Sequence, residues 1–188
     1  MSTVTYENWN LEPPLCPLRS HLYSLEPCGI GTPQVESLTG YIARMAEAHC
    51  VLTATLISQE FASLSKPSQG RSYLHDMSSR TEALNGTGRM AKNLVEMLEG
   101  LTLRNDLRFL TLLFWADVLP KRGLLRRTRA WCPACYHQWR TKGQAVYEPL
   151  LWTLQVVAIC PDHQQHLVFQ CPHCQRQLPL LAWQSRPG

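Results

Sequence analysis

Three short turns between residues 132 and 174 constrain this chain more than any other feature. They read Cys132-Pro133-Ala134-Cys135, Cys160-Pro161-Asp162-His163 and Cys171-Pro172-His173-Cys174. Each is Cys-Pro-x-(Cys or His), so each offers two soft ligands on one tight turn. Zn²⁺ takes four N or S ligands in a tetrahedron, and ligands three residues apart supply two of them. Proline after the first cysteine fixes φ near the value such a turn needs, and leaves later N–H groups free to point at the sulfur. Two turns close one site, so three leave an odd half-site. Spacing alone leaves open which two turns pair.

Two other chemistries compete for these cysteines. Cys-x-x-Cys, and Cys-Pro-His-Cys in particular, can be a redox motif. That chemistry needs a βαβ scaffold with the motif at a helix start, and no such pattern surrounds Cys171. Structural disulfides need an oxidising compartment. The stretch Met1 to Asn10 is polar and lacks the apolar segment of a signal peptide. The expectation is therefore a zinc protein of a reducing compartment, the cytoplasm.

The 188 residues allow one ordinary domain, or a small one plus a metal-stapled module. No apolar run reaches the roughly 18 residues that a membrane helix needs, so no membrane partner is expected. The net charge of +4 is modest, but it is unevenly spread. Lys121, Arg122, Arg126, Arg127, Arg129, Arg140 and Lys142 fall between 121 and 147, with no Asp or Glu among them. Such a stretch beside a zinc module fits a nucleic-acid or acidic-protein partner, and a solvated linker face fits equally well. Arg126, Arg127 and Arg129 are the candidate nucleic-acid contacts.

Read in order, residues 1–34 form an irregular arm. Five prolines (Pro13, Pro14, Pro17, Pro27, Pro33) oppose regular structure, while Trp9, Leu11, Leu15, Leu18, Leu22, Tyr23 and Leu25 are too apolar for a free tail. Pro33 suits a helix start, and Val35, Leu38, Ile42, Met45 and His49 recur at helical spacing. His49 and Cys50 read as helix-end packing rather than ligands. Thr53 can cap a second helix carrying Leu56, Ile57, Phe61 and Leu64. Two short helices across a tight turn make a helix-turn-helix candidate, a pattern any small helical bundle also gives.

A Pro/Gly/Ser loop at 66–72, an ambiguous stretch at 73–84 and a break at 85–88 follow. A third helix should carry Met90, Leu94, Met97, Leu98 and Leu101 and close near Gly100. A fourth, capped by Asn105, should carry Leu107, Leu110, Phe114 and Val118 and stop at Pro120. The Met and aromatic positions read as core. The expected fold is mainly α: an arm over 1–34, a helical helix-turn-helix domain over 35–120, a basic linker over 121–130 and a zinc-finger or zinc-ribbon module over 131–188. Within that module, 147–159 could be helix or strand, and 166–170 reads as a short strand.

Several stretches together resemble the TniQ family. They are Leu22-Tyr23-Ser24-Leu25-Glu26-Pro27, Gly29-Ile30-Gly31-Thr32-Pro33, Glu36-Ser37-Leu38 and Tyr41-Ile42-Ala43-Arg44. Trp115-Ala116-Asp117-Val118-Leu119-Pro120 and Arg129-Ala130-Trp131-Cys132-Pro133-Ala134-Cys135-Tyr136 complete them, followed by the ordered cysteine turns. The resemblance runs from about residue 19 onward. It implies a target-selection adaptor for transposition, with an N-terminal helix-turn-helix region and tandem zinc fingers. It also implies partners: a CRISPR RNA-guided effector complex with its guide RNA, an AAA+ transposition ATPase, target DNA nearby, and a second copy in a homodimer. By the same resemblance, Cys132, Cys135, Cys160 and His163 hold the first zinc. The third turn is normally answered by a further cysteine pair, and none follows Cys174. A second site then has Cys171 and Cys174 alone, unless His166 or His173 joins.

Three functions remain in competition. The first is a non-enzymatic adaptor in RNA-guided transposition. The second is a zinc-containing helix-turn-helix transcription regulator. The third is a redox enzyme at Cys171 and Cys174. No paired carboxylates, nucleophile elbow, phosphate-binding Gly loop or acidic metal triad is present, so no catalytic residue is expected.

Overall fold

The structure, a computed structural model, describes residues 17–60, 77–120 and 122–181. Phe61, Leu64, the 66–72 loop, residues 1–16 of the arm and 182–188 lie outside them. Four α-helices stand out: α1, Leu38–Ala48; α2, Thr53–Glu60; α3, Arg89–Thr102; and α4, Pro133–Thr141. Single 3-10 turns fall at Thr81–Asn85, Leu107–Leu110, Leu113–Trp115 and Leu150–Thr153. The described residues contain no named strand, only isolated antiparallel bridges. The chain is mainly helical.

α1 begins at Leu38 rather than near Pro33. Ser37 is its N-cap, and the Ser37 side chain accepts the Gly40 N–H at 3.1 Å. Before it, 28–36 closes as a turn in which Glu36 N–H donates to Cys28 O. Leu38, Tyr41, Ile42 and Met45 line one face and are fully buried. They share a core with Leu56, Leu94, Leu98 and Leu107, and Val35 packs against it only partly buried. His49 ends the helix as packing: its ring stacks on Tyr23 at 4.1 Å, and its Nε2 accepts the Tyr23 N–H.

α3 runs past Gly100 to Thr102, where Leu103 caps it in the left-handed region at φ 55°. The predicted fourth helix is absent. Its place is taken by the two 3-10 turns, because Thr111 breaks the chain between them. Thr111 is extended, its hydroxyl donates to Arg108 O, and the Leu112 N–H goes to Asn85 O instead of to a helical carbonyl. Leu107 and Leu110 are buried, three residues apart as a 3-10 turn aligns them. Phe114 and Val118, placed inward by the helical reading, are 62% and 75% exposed.

Asn85 holds this half together. It is fully buried: its Oδ1 accepts the Thr39 N–H, and its Nδ2 donates to Thr39 Oγ1. One side chain thereby joins α1 to the Thr81–Asn85 turn.

The second half is assembled around α4 and the Leu150–Thr153 turn. The expected strand at 166–170 does not form a ladder. His166 pairs with Ile159 while Val168 pairs with Trp131, so each bridge has a different partner and neither can extend. A second apolar cluster gathers Ala130, Cys132, Cys135, Trp152, Cys160 and Leu167. The halves are joined by backbone: Ser37 N–H donates to Glu148 O at 2.7 Å, and Leu150 N–H to Val35 O at 2.7 Å. Leu181 returns to the first core.

Candidate metal centre

α4 builds half of the site. Cys132 is its N-cap and Pro133 its first helical residue, so the proline's missing N–H costs no helical bond. Cys135 follows in the first turn. The second turn, Cys160 to His163, comes from a loop tied by two backbone bonds. Cys160 N–H donates to Gln165 O at 2.8 Å, and Gln164 N–H to Cys160 O at 2.8 Å, with Gln164 in the left-handed region at φ 51°.

These loops bring four ligand atoms within 4.8 Å of one another: the sulfurs of Cys132, Cys135 and Cys160, and an imidazole nitrogen of His163. Cys135 Sγ lies 3.6 Å from Cys160 Sγ and 3.2 Å from His163 Nδ1. Cys132 and Cys160 each stand 3.7 Å from the same nitrogen. Around a zinc ion with Zn–S of about 2.3 Å, tetrahedral ligands sit about 3.8 Å apart, so the donor set fits Zn²⁺. A disulfide is excluded by the sulfur separation, and all three cysteines are free.

A surrounding shell orients these ligands. His163 Nε2–H donates to Gln138 Oε1 at 3.1 Å, which turns Nδ1 toward the sulfurs. Gln165 Nε2 donates to Cys132 Sγ at 3.1 Å. Burial opposes ionisation of Cys132, yet the Cys135 N–H and the Gln165 amide aimed at its sulfur bring its thiol below the ordinary value. Burial, and then the neighbouring sulfurs, push the Cys135 thiol up. A bound cation reverses that penalty by favouring thiolate. Tyr136, Trp139 and Trp152 pack beside the ligands at ring separations of 5.8 to 6.0 Å, and Tyr147 stacks on Trp139 at 4.5 Å. Four protein ligands leave no open position for water or substrate, the arrangement of a structural rather than a catalytic zinc.

The third turn repeats the second bond for bond. Cys171 N–H donates to Arg176 O at 3.0 Å, Gln175 N–H donates to Cys171 O at 2.9 Å, and Gln175 has φ 55°. The N–H groups of Cys174 and His173 hold the Cys171 thiol below its ordinary value. Among the described residues no third ligand joins Cys171 and Cys174, neither His166 nor His173 included.

The three candidate arginines are placed differently from one another. Arg126 stacks its guanidinium over Phe169 at 4.7 Å and donates to Val157 O. Arg129 pairs with Glu148. Arg127 alone points outward, 88% exposed, with Glu82 3.7 Å away. The Gln138 and Gln165 contacts escaped the sequence reading. Gln138 stands three residues after Cys135 on one helix face, which is the signal that could have found it.

No curated protein matches the chain. The family model TniQ matches residues 27–167. The matched span runs from the turn before α1 through all four clustered ligands, and ends before Cys171. This chain therefore belongs to the TniQ family, whose members are non-catalytic proteins of transposition.

Proposed function

We propose that the protein is a non-enzymatic adaptor for target-site selection in RNA-guided DNA transposition. In this reading it bridges a CRISPR effector complex to the AAA+ transposition ATPase, in the bacterial cytoplasm. Family membership carries the proposal, and the closed Cys132, Cys135, Cys160 and His163 cluster supports it. Those four residues hold one structural Zn²⁺, and Cys171 with Cys174 is a second half-site. Residues 35–120 form the partner-facing helical domain, with α1 and α2 as its helix-turn-helix. Residues 131–188 form the zinc-stapled module, joined through the basic linker 121–130. Two modules give two surfaces, as a bridge requires. Arg127, the outward member of the arginine trio, is the one best placed to meet a nucleic acid.

A reconstituted, guide-dependent integration assay tests this. Integration should vanish when the protein is omitted, and again when Cys132 and Cys135 become Ser. Full guided integration without it would sink the adaptor reading. Operator-type DNA binding without any effector requirement would favour a transcription regulator, and thiol–disulfide turnover a redox enzyme.

A further inference from the structure

A cleft of about 1130 Å³ lies between the Thr81–Asn85 turn, the start of α3 and the segment 122–128. Arg80, Arg89, Arg122, Arg126 and Arg127 line it, drawn from three separate stretches of chain. Among the described residues Glu82 is the one carboxylate on its walls. Arg80, Arg89, Arg122 and Arg127 are exposed. Among the described residues no carboxylate pairs with Arg80, Arg89 or Arg122.

Cations gathered on one concave wall repel one another and focus a positive potential into the cleft. An anion that enters relieves that repulsion. Among the described residues arginine supplies the charge, and its planar fork matches phosphate oxygens bidentately. At Gly88, which opens α3, nothing lies within 4 Å of where a Cβ would project, so the backbone there can be closely approached. Guanidinium groups from three stretches suit a chain of regularly repeated charges better than one isolated anion.

We infer that this cleft binds a nucleic-acid strand through its phosphates. The site shares Arg126 and Arg127 with the linker trio but reaches beyond it, since Arg80 and Arg89 lie far outside the linker and Arg129 is not on its walls. It stands on these residues whether or not the adaptor reading holds. Phosphate contacts carry affinity without reading sequence.

The test is fluorescence anisotropy of the full-length, zinc-loaded protein with labelled single-stranded RNA, single-stranded DNA and duplex DNA across a salt series. The triple variant Arg80→Ala, Arg89→Ala, Arg122→Ala should weaken binding about tenfold or more, and reduce the log–log salt slope by about two. The control Arg140→Ala, Lys142→Ala, Arg176→Ala removes equal charge elsewhere and should bind like wild type. Thermal melts confirm that both variants fold. The tightest of the three nucleic acids names the source of the strand. Unchanged affinity and slope in the cleft variant, or an equal loss in the control, would overturn the inference. So would polyglutamate competing as well as the oligonucleotides at equal charge, which would assign the cleft to an acidic protein.

Discussion

Arg129 Nε lies 2.6 Å from Glu148 Oε1 at the seam between α1 and the metal-bearing half of the chain. The contact is a close approach of the guanidinium to the carboxyl rather than an aligned hydrogen bond. The same Glu148 accepts the N–H of Ser37, the N-cap of α1, through its carbonyl. Burial pushes the Glu148 carboxyl up to about 7; Arg129 pulls the other way, and Glu36 adds to the push.

The folded chain thus keeps the Glu148 proton over a range where the unfolded chain, with a carboxyl near 4.5, has lost it. Its contribution to stability is largest below that lower value and is lost as pH rises through about 7. Glu148→Gln cannot titrate. Denaturant unfolding of both proteins from about pH 5 to about pH 8 should show the variant gaining on wild type as pH rises. A difference that stays constant with pH would mean the carboxyl ionises normally.

Chelation should remove zinc and structure together. Metal analysis should find about one Zn²⁺ per chain at the four-ligand cluster. Cys135→Ser should lose that ion and the cooperative thermal transition of the α4 region, while Cys174→Ser should keep both. Retention of the metal by Cys135→Ser would refute the ligand set.

Ile42→Ala should destabilise the chain by about 2–5 kcal/mol, because Ile42 is fully buried and its removal leaves a cavity. Val118→Ala, at a position 75% exposed, should change stability by less than about 0.5 kcal/mol. Equal effects at the two positions in urea melts would contradict the packing described above.

Asn85→Ala should cost about 1–3 kcal/mol, since it strands the buried Thr39 N–H and leaves the Thr39 hydroxyl only Ser37 Oγ, 3.4 Å away. The companion change Thr39→Ala removes only the hydroxyl and should cost less. A double-mutant cycle would measure their coupling.

What could be read from the sequence was whatever repeats at short range. The Cys-Pro turns announced ligands because two donors three residues apart have few other uses. The faces of α1 and α3 were legible because Leu38, Ile42 and Met45, or Leu94 and Leu98, recur at helical spacing. Interactions between distant residues were hidden. Asn85 reads as a turn residue before Gly86, yet it is buried and bonded to Thr39, 46 positions away. The segment 105–118 carries a helical pattern of apolar residues, but the Leu112 N–H is claimed by Asn85, and the pattern loses to that contact. Arg129 reads as a candidate nucleic-acid contact in a basic run, and only the fold reveals Glu148 beside it.

The matched hydrogen bonds of the second and third turns bear on how tightly they can grip an ion. In both, the backbone closes on itself around the first cysteine, with a left-handed glutamine completing the loop. Hydrogen bonds therefore set the distance between the two donors of each turn. In the language of coordination chemistry, each turn is a bidentate chelator with a preset bite. A ligand ordered in advance loses little conformational entropy on binding. Affinity at either turn is then governed by which second chelator is brought to face it, and by how rigidly.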